Sequence, residues 1–370
     1  MVNPFNYQGP VAGESLIDRR QELHDLQRAG ANRVAVRLAA PRRFGKTSVL
    51  RAHIAQMTEA GHRAVLVDFS RVTTYADAVA RLAAAYSRLP ADPTGAVARW
   101  VARLGLTIGS GPAALHLAPR AELRPHDAQA ALLELLDLPQ RLHDHDQGFT
   151  LVCMDEFQDL LVAGDGLDGL FRSVLQHQGH SAAYVYAGSQ PSLMRALFAD
   201  RERPFYGQAR PMELPPLPFD EALADLEATL HRHGLDPQGH VADLLQFTGG
   251  HPQRTILVAH HLYDALEEQA LHPVLVALDR ALGEADDALQ ATWDGLNRAE
   301  QIVTAAVADG RPPTGRRLAD DHQMPRSTLA NATNRLVADG QVLRRAPASR
   351  QVALVDPLLG EWLRRRSARL

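Results

Sequence analysis

The sequence predicts an α/β fold, a doubly wound parallel sheet with helices on both faces. Three observations carry that expectation. Apolar, β-forming runs recur near residues 33–38, 64–69, 149–154, 183–187 and 211–214 and alternate with helical periodicity. The run Phe149-Thr-Leu-Val-Cys-Met154 is almost unbroken by polar residues, as in a central strand buried on both faces. The first strand passes through a short loop directly into a helix whose apolar residues, Val49, Leu50, Ile54 and Met57, fall at helical spacing.

That loop contains the only lysine among the 39 Lys and Arg residues of the chain. Lys46 lies in Ala39-Ala-Pro-Arg-Arg-Phe-Gly-Lys-Thr-Ser48, close to the phosphate-binding pattern G-x-x-x-x-G-K-[ST]. Arginine carries positive charge everywhere else, so a retained lysine marks a place where a planar, branched guanidinium does not serve. A compact ammonium folding back onto β- and γ-phosphates is such a place. In this reading the loop Pro41, Arg42, Arg43, Phe44 and Gly45, with the helix start at Lys46, Thr47 and Ser48, holds the phosphates. Lys46 neutralises them and the Thr47 hydroxyl ligates Mg2+. Ala40 stands where the pattern has its first glycine; a positive φ there would cost an alanine on the order of 1 kcal/mol.

The strand 149–154 ends in Asp155-Glu156. Ligands of parallel sheets lie at the carboxyl ends of the strands, so Asp155 is the second metal-ligand candidate and Glu156 the candidate base for a hydrolytic water. Capping of a helix beginning near Phe157 is the alternative. The next strand, Ala182–Gly188, ends at Ser189, either a group that positions water against the γ-phosphate or an N-cap for a helix at 191–198. Downstream, Arg203 and Arg210 are two candidates for an arginine that completes a neighbouring subunit's site, or plain surface arginines.

Composition bounds the rest. The 370 residues, 45% hydrophobic, suffice for two or three domains. A single cysteine, Cys153, excludes an intrachain disulfide. With no signal-like N-terminus and no apolar run of about 18 residues, the expectation is a cytoplasmic protein without a membrane partner. Net charge is -4, but residues 294–370 carry 13 Arg against 8 acidic residues. Paired histidines such as His143/His145 and His260/His261 do not make metal sites, because neighbours point apart on a helix and no cysteines accompany them. The Asn-Lys-x-Asp motif of GTPases needs a second lysine, which the chain lacks, and this argues against guanine specificity.

These residues together resemble the archaeal-type AAA ATPases, relatives of the STAND ATPases and of the Orc/Cdc6 initiators within the AAA+ class. The resemblance rests on Tyr7-Gln-Gly-Pro-Val-Ala-Gly13, Leu16-Ile-Asp-Arg-Arg-Gln-Glu-Leu23, Pro41–Thr47, Met154-Asp-Glu-Phe-Gln158 and Gly249-Gly-His-Pro252, and spans nearly the whole chain. It implies a P-loop ATPase core over 1–218, a helical lid over 219–292 and a winged helix-turn-helix domain over 293–370. It also implies ATP as ligand, with Val11, Gly13 and Arg19 on the base side and His251, Pro252 and Arg254 in a second sensor region. Two positions depart from it: Arg20 replaces an acidic residue and Ala40 a glycine.

The C-terminal region reads as helices at 299–309, 314–321 and 325–339 followed by wing strands at 341–345 and 351–354. Arg326, Ser327, Thr328, Asn331, Asn334 and Arg335 on the third helix are residue types that face a DNA groove, and Arg344, Arg345 and Arg350 could grip phosphates. The expected function is Mg2+-dependent hydrolysis of ATP to ADP and phosphate, coupled to double-stranded DNA. The alternative is a signalling or defence switch whose winged helix binds protein, with a homo-oligomer or effector as partner. A glycine-marked segment, 105–117, suggests a hairpin insertion.

Overall fold

The computed structural model describes residues 2–9, 19–89, 125–161, 166–345 and 351–367. Val11, Gly13 and the expected hairpin at 105–117 lie outside them. Five strands, β1 (Val36–Ala39), β2 (Arg63–Asp68), β3 (Thr150–Asp155), β4 (Ala182–Gly188) and β5 (Arg210–Glu213), form one sheet in the order β2-β3-β4-β1-β5. Every pairing in it is parallel.

Alternation along the central strands explains the unbroken apolar runs. Val152 and Met154 of β3, with Tyr184 and Tyr186 of β4, face one apolar layer; Leu151, Cys153, Val185 and Ala187 face another. Helices α1 (Arg20–Ala31) and α2 (Lys46–Glu59) cover the second face through Leu26, Val49, Leu50 and Met57. On the first lie α3 (Tyr75–Tyr86), α4 (Pro125–Leu136), α5 (Leu138–Asp146), α6 (Leu167–Leu175) and α7 (Pro191–Ala199). Burying both faces removes any solvent side on which polar residues could alternate. On the first face Phe157 packs edge-on to Phe171 and Phe205, with ring centroids 6.1 and 5.3 Å apart.

Two local expectations change. Residues 127–143 read as one helical stretch in the sequence but belong to two helices, because Pro139 sits in the first turn of α5, where a missing N–H does no harm, and the chain restarts at Asp137. After β3 the chain forms a short 3-10 turn, Phe157–Leu161, in place of an α-helix.

Beyond the sheet the chain is helical: α8 (Phe219–Arg232), α9 (His240–Thr248), α10 (Pro252–Glu267) and α11 (Pro273–Asp294). The last runs past residue 292. Then follow α12 (Arg298–Ala308), α13 (Arg316–Asp321), α14 (Arg326–Asp339), an antiparallel hairpin of β6 (Leu343–Arg345) and β7 (Val352–Leu354), and α15 (Pro357–Ser367). One apolar cluster runs from Leu217 through Leu262, Leu282, Val303 and Leu336 to Trp362, so the lid helices and the C-terminal unit share a core. Where sheet and lid meet, the Leu217 N–H donates to the Gly250 carbonyl at 2.8 Å. Gly250 has φ +70°, and a Cβ there would lie 2.3 Å from the Leu217 carbonyl oxygen, so only glycine fits.

Candidate functional site

Register assembles the site. Ala39 at the end of β1 pairs with Gly188 at the end of β4, and β3 flanks β4 on its other side, so the segments following the three strands emerge together. The loop after β1 turns through left-handed backbone at Arg43 (φ 68°) and Gly45 (φ 85°) before α2 begins at Lys46. Ala40 does not have a positive φ; it is buried, and its N–H donates to the Gly188 carbonyl at 3.3 Å. The departure from the glycine pattern therefore carries no strain, which falls instead on Arg43.

Around the loop the candidate residues converge. Lys46, only 6% exposed, donates to Glu156 Oε1 at 3.3 Å. The Thr47 hydroxyl donates to Asp155 Oδ2 at 2.6 Å. Ser189 offers its hydroxyl at 2.5 Å and its N–H at 3.1 Å to Glu156 Oε2, which also accepts from Gln158 Nε2 at 2.6 Å. Glu156 reaches this position because its own backbone is left-handed, φ 51°. Such a conformation costs a non-glycine residue on the order of 1 kcal/mol and is held by the surrounding bonds. Both side chains turn towards the loop, and Asp155 also accepts the Glu156 N–H with Oδ1 at 3.0 Å, just before the turn at Phe157.

Electrostatics separates the two carboxylates. Burial pushes Asp155 up from the ordinary carboxylate value, with Lys46 and the Thr47 hydrogen bond pulling the other way. Burial also raises Glu156, but the Lys46 charge and the hydrogen bonds from Ser189 and Gln158 outweigh it and hold this group below its ordinary value. Asp155 and Thr47 together offer a carboxylate and a hydroxyl oxygen, the hard donor set that fits Mg2+, which takes one or two protein oxygens and completes its shell with phosphates and water. Among the described residues no cluster of three or more His, Cys, Asp or Glu is arranged for a metal.

A cavity of about 470 Å³ opens beside the loop. The loop and the start of α2 line it with Arg43, Phe44, Gly45, Lys46, Thr47 and Ser48. Leu217 and the lid helices add the apolar Pro252, Ile256, Leu257, Ala285 and Ala288 with Gln253 and Glu284, and Tyr7, Gln8 and Gly9 also stand on the wall. Arg19 and Arg254 also line it. Arg19 is 2% exposed and tied to Glu22 at 2.8 Å and to the Pro215 carbonyl at 2.9 Å, so it braces the start of α1 against the segment leading to the lid. Pro41 and Arg42 are off the cavity wall. So is His251: its Nδ1 accepts from the Arg254 N–H, capping α10, and its ring meets Phe44 with centroids 4.8 Å apart. Burial takes its pKa down to about 4, so it is neutral there.

Sequence reasoning missed the contributions of the C-terminal unit. Arg254 donates to Asp356 Oδ2 at 2.9 Å and Oδ1 at 3.0 Å. Gln341 Nε2 donates to the Ser189 carbonyl at 2.6 Å. Partners so far apart in the chain leave no local pattern. Arg344, a candidate for gripping phosphates, is half-buried beside His251, and burial lowers its pKa. Arg335 pairs with Glu300 at 3.3 Å, while Arg326 is exposed and donates to the Thr314 carbonyl. Of the two finger candidates, Arg203 pairs with Asp168 at 3.4 Å. Arg210 is exposed on the edge strand, at the end of β5 that pairs with the beginning of β1, away from the loop.

No family model and no curated protein matches this sequence. Solved structures do. The Walker-type ATPase of Pyrococcus abyssi superposes with a TM-score of 0.70 over 98% of this chain and 99% of its own, at 20% identity. The ORC2 protein of Aeropyrum pernix, in ADPNP–ADP complexes, gives 0.61 over 99% and 98%, at 16% identity. Its ADP form gives 0.54 over 97% and 96%, also at 16% identity. At such identities the likeness is one of fold, and it extends from end to end. This chain has the fold of the Pyrococcus abyssi Walker-type ATPase and of the Aeropyrum pernix ORC2 protein, built on a five-stranded parallel sheet.

Proposed function

We propose that this protein binds ATP and hydrolyses it to ADP and phosphate, and that the nucleotide state is relayed to a C-terminal winged helix. The observation carrying this is the convergence of Lys46, Thr47, Asp155, Glu156 and Ser189 at the carboxyl ends of β1, β3 and β4. Residues 1–218 are then the ATPase core, 219–292 the lid and 293–370 the winged-helix domain. The apolar residues of the cavity wall take the base, and the loop residues take the phosphates.

In that reading the N–H groups of the loop and the start of α2 cradle the phosphates, and Lys46 leaves Glu156 for them. Thr47 and Asp155 would hold Mg2+, which when bound neutralises charge on the phosphates. Glu156, released from Lys46 and Ser189, accepts the proton of the attacking water as the bond between the γ-phosphorus and the bridging oxygen breaks. Ser189 orients that water, and Arg254, freed from Asp356, meets the γ-phosphate. Arg210 is the candidate finger for a second copy of the chain. Val11 and Gly13 belong to the base side of the nucleotide in this reading.

For the output, association with duplex DNA rests on the exposed arginines of α13 and α14. Arg316 and Arg317 are 88% and 96% exposed, and Arg326 lies beside them in sequence order at the start of α14. The inward-facing Arg344, Gln341 and Asp356 favour the second reading, a switch in which the winged helix answers to the core and binds protein. ATP turnover by the purified protein, with and without duplex DNA, tests both. Turnover that DNA stimulates supports the first; turnover indifferent to DNA, with ATP-dependent oligomers, supports the second; no turnover at all defeats hydrolysis as the activity. Among the described residues no helix is long and apolar enough to cross a membrane.

A further inference from the structure

Glu156 is bound by more donors than a working base can keep. Oε1 takes Lys46; Oε2 takes the Ser189 hydroxyl, the Ser189 N–H and Gln158. A carboxylate that accepts from four donors in this way is stabilised in its charged form and takes up a proton poorly. Two of the four donors belong to Ser189, so whatever fixes Ser189 fixes the state of Glu156.

Ser189 is held from outside the sheet. Helix α14 ends at Gly340 in left-handed backbone, φ +72°, and a Cβ on Gly340 would stand 3.5 Å from the Pro191 ring, so the helix end rests on the start of α7. The next residue, Gln341, reaches from that rest to the Ser189 carbonyl at 2.6 Å. Ser189 is 1% exposed, so no water competes for that carbonyl from its own side. Residue 189 therefore presents its N–H and hydroxyl to Glu156 and its carbonyl to Gln341, and cannot turn without breaking one set or the other.

We propose that Gln341 is a positioning residue for hydrolysis: from the C-terminal unit it locks Ser189 against Glu156 and keeps the base in its resting arrangement until that unit lifts away. The inference rests on the reading of Glu156 as the base. It makes departure of the hairpin, and not nucleotide binding alone, the event that releases the glutamate. The second tie near the site, Asp356 to Arg254, joins the C-terminal unit to the lid with which it shares a core, so it is distinct from the Gln341 tie to the sheet.

The experiment compares Gln341→Ala and Gln341→Glu, which lose the donor, with Gln341→Lys, which keeps one, in the full-length protein with MgATP. Loss of the donor is expected to raise kcat about three- to tenfold, the factor one net hydrogen bond is worth, with KM for ATP unchanged; the lysine variant returns kcat towards the wild-type value. A kcat that falls or does not move in the alanine and glutamate variants, or a rise that lysine does not reverse, overturns the proposal. Amide exchange of the peptide spanning 182–190 is measured on the same samples without nucleotide. It is expected to quicken in the alanine and glutamate variants alone, and equal exchange in all four proteins overturns the proposal even if the wild type shows no turnover. A wild type that binds ATP without turning it over, while exchange responds as expected, removes the hydrolytic reading and leaves Gln341 as the lock on Ser189.

Discussion

Arg254, in the first turn of α10, and Asp356, between β7 and α15, form a bidentate ion pair that joins the lid to the C-terminal unit at the wall of the cavity. Arg254 is 3% exposed, and Asp356 also accepts from the Leu358 N–H at 3.0 Å, so the carboxylate caps one helix while it neutralises another. Removing it leaves a buried guanidinium unpaired. Asp356→Asn is expected to destabilise the protein by about 3–5 kcal/mol, seen in thermal or urea unfolding.

The same pair gives a pH signature. Burial raises Asp356, but the hydrogen bonds and charge of Arg254 hold it below the ordinary carboxylate value. A depressed folded value means a stabilising contribution that is complete above the unfolded value, about 3.9, and is lost as pH falls through the folded one. Wild-type stability should therefore fall more steeply below pH 4 than that of Asp356→Asn. Parallel curves would show that the pair contributes nothing in this window.

Lys46→Ala removes the only ammonium at the loop and leaves Glu156 with Ser189 and Gln158. Titration calorimetry with ATP should show affinity weakened at least about tenfold, equal to 1.4 kcal/mol. Lys46→Arg should not restore it, because a guanidinium does not fit a 6% exposed slot built for an ammonium.

Glu156→Gln keeps the shape of the side chain and removes its ability to accept a proton. ATP should still bind, while single-turnover hydrolysis falls by about 10²–10⁴-fold. Retained hydrolysis would move the role of base to another group.

Ala40→Gly tests where the loop carries its strain. Since Ala40 does not have a positive φ, glycine relieves nothing and adds freedom to the unfolded chain. A loss of about 0.5–1 kcal/mol is expected in the urea midpoint; a gain would place the strain at residue 40 after all.

The sheet was legible from sequence because burial on both faces writes continuous apolar runs, and all five expected strands occur within a few residues of their places. The meeting of Lys46, Thr47, Asp155, Glu156 and Ser189 was legible for a related reason: each lies at the carboxyl end of a strand or in the segment that follows it, and parallel strands bring those ends together. The split helix at Asp137 and the 3-10 turn at Phe157 were harder, since one proline and one left-handed glutamate decide them. Gln341, Arg344 and Asp356 were out of reach. Their roles depend on how the C-terminal unit lies against the sheet and lid, a relation carried by a shared apolar core rather than by any local spacing. The same dependence brings Arg344 beside His251, a neighbour no local spacing announces.

At the junction of sheet and lid, Gly250 and Leu217 meet backbone to backbone with no room for even a methyl group. The gap between the two bodies is thus gauged by main-chain atoms, whose dimensions do not vary from residue to residue. Side chains along the cavity wall can change while the spacing stays constant, much as a shim fixes a hinge whatever the leaves are made of. Any replacement at position 250 would act as a wedge, and its effect would be felt as a wider mouth of the cavity rather than as an altered wall.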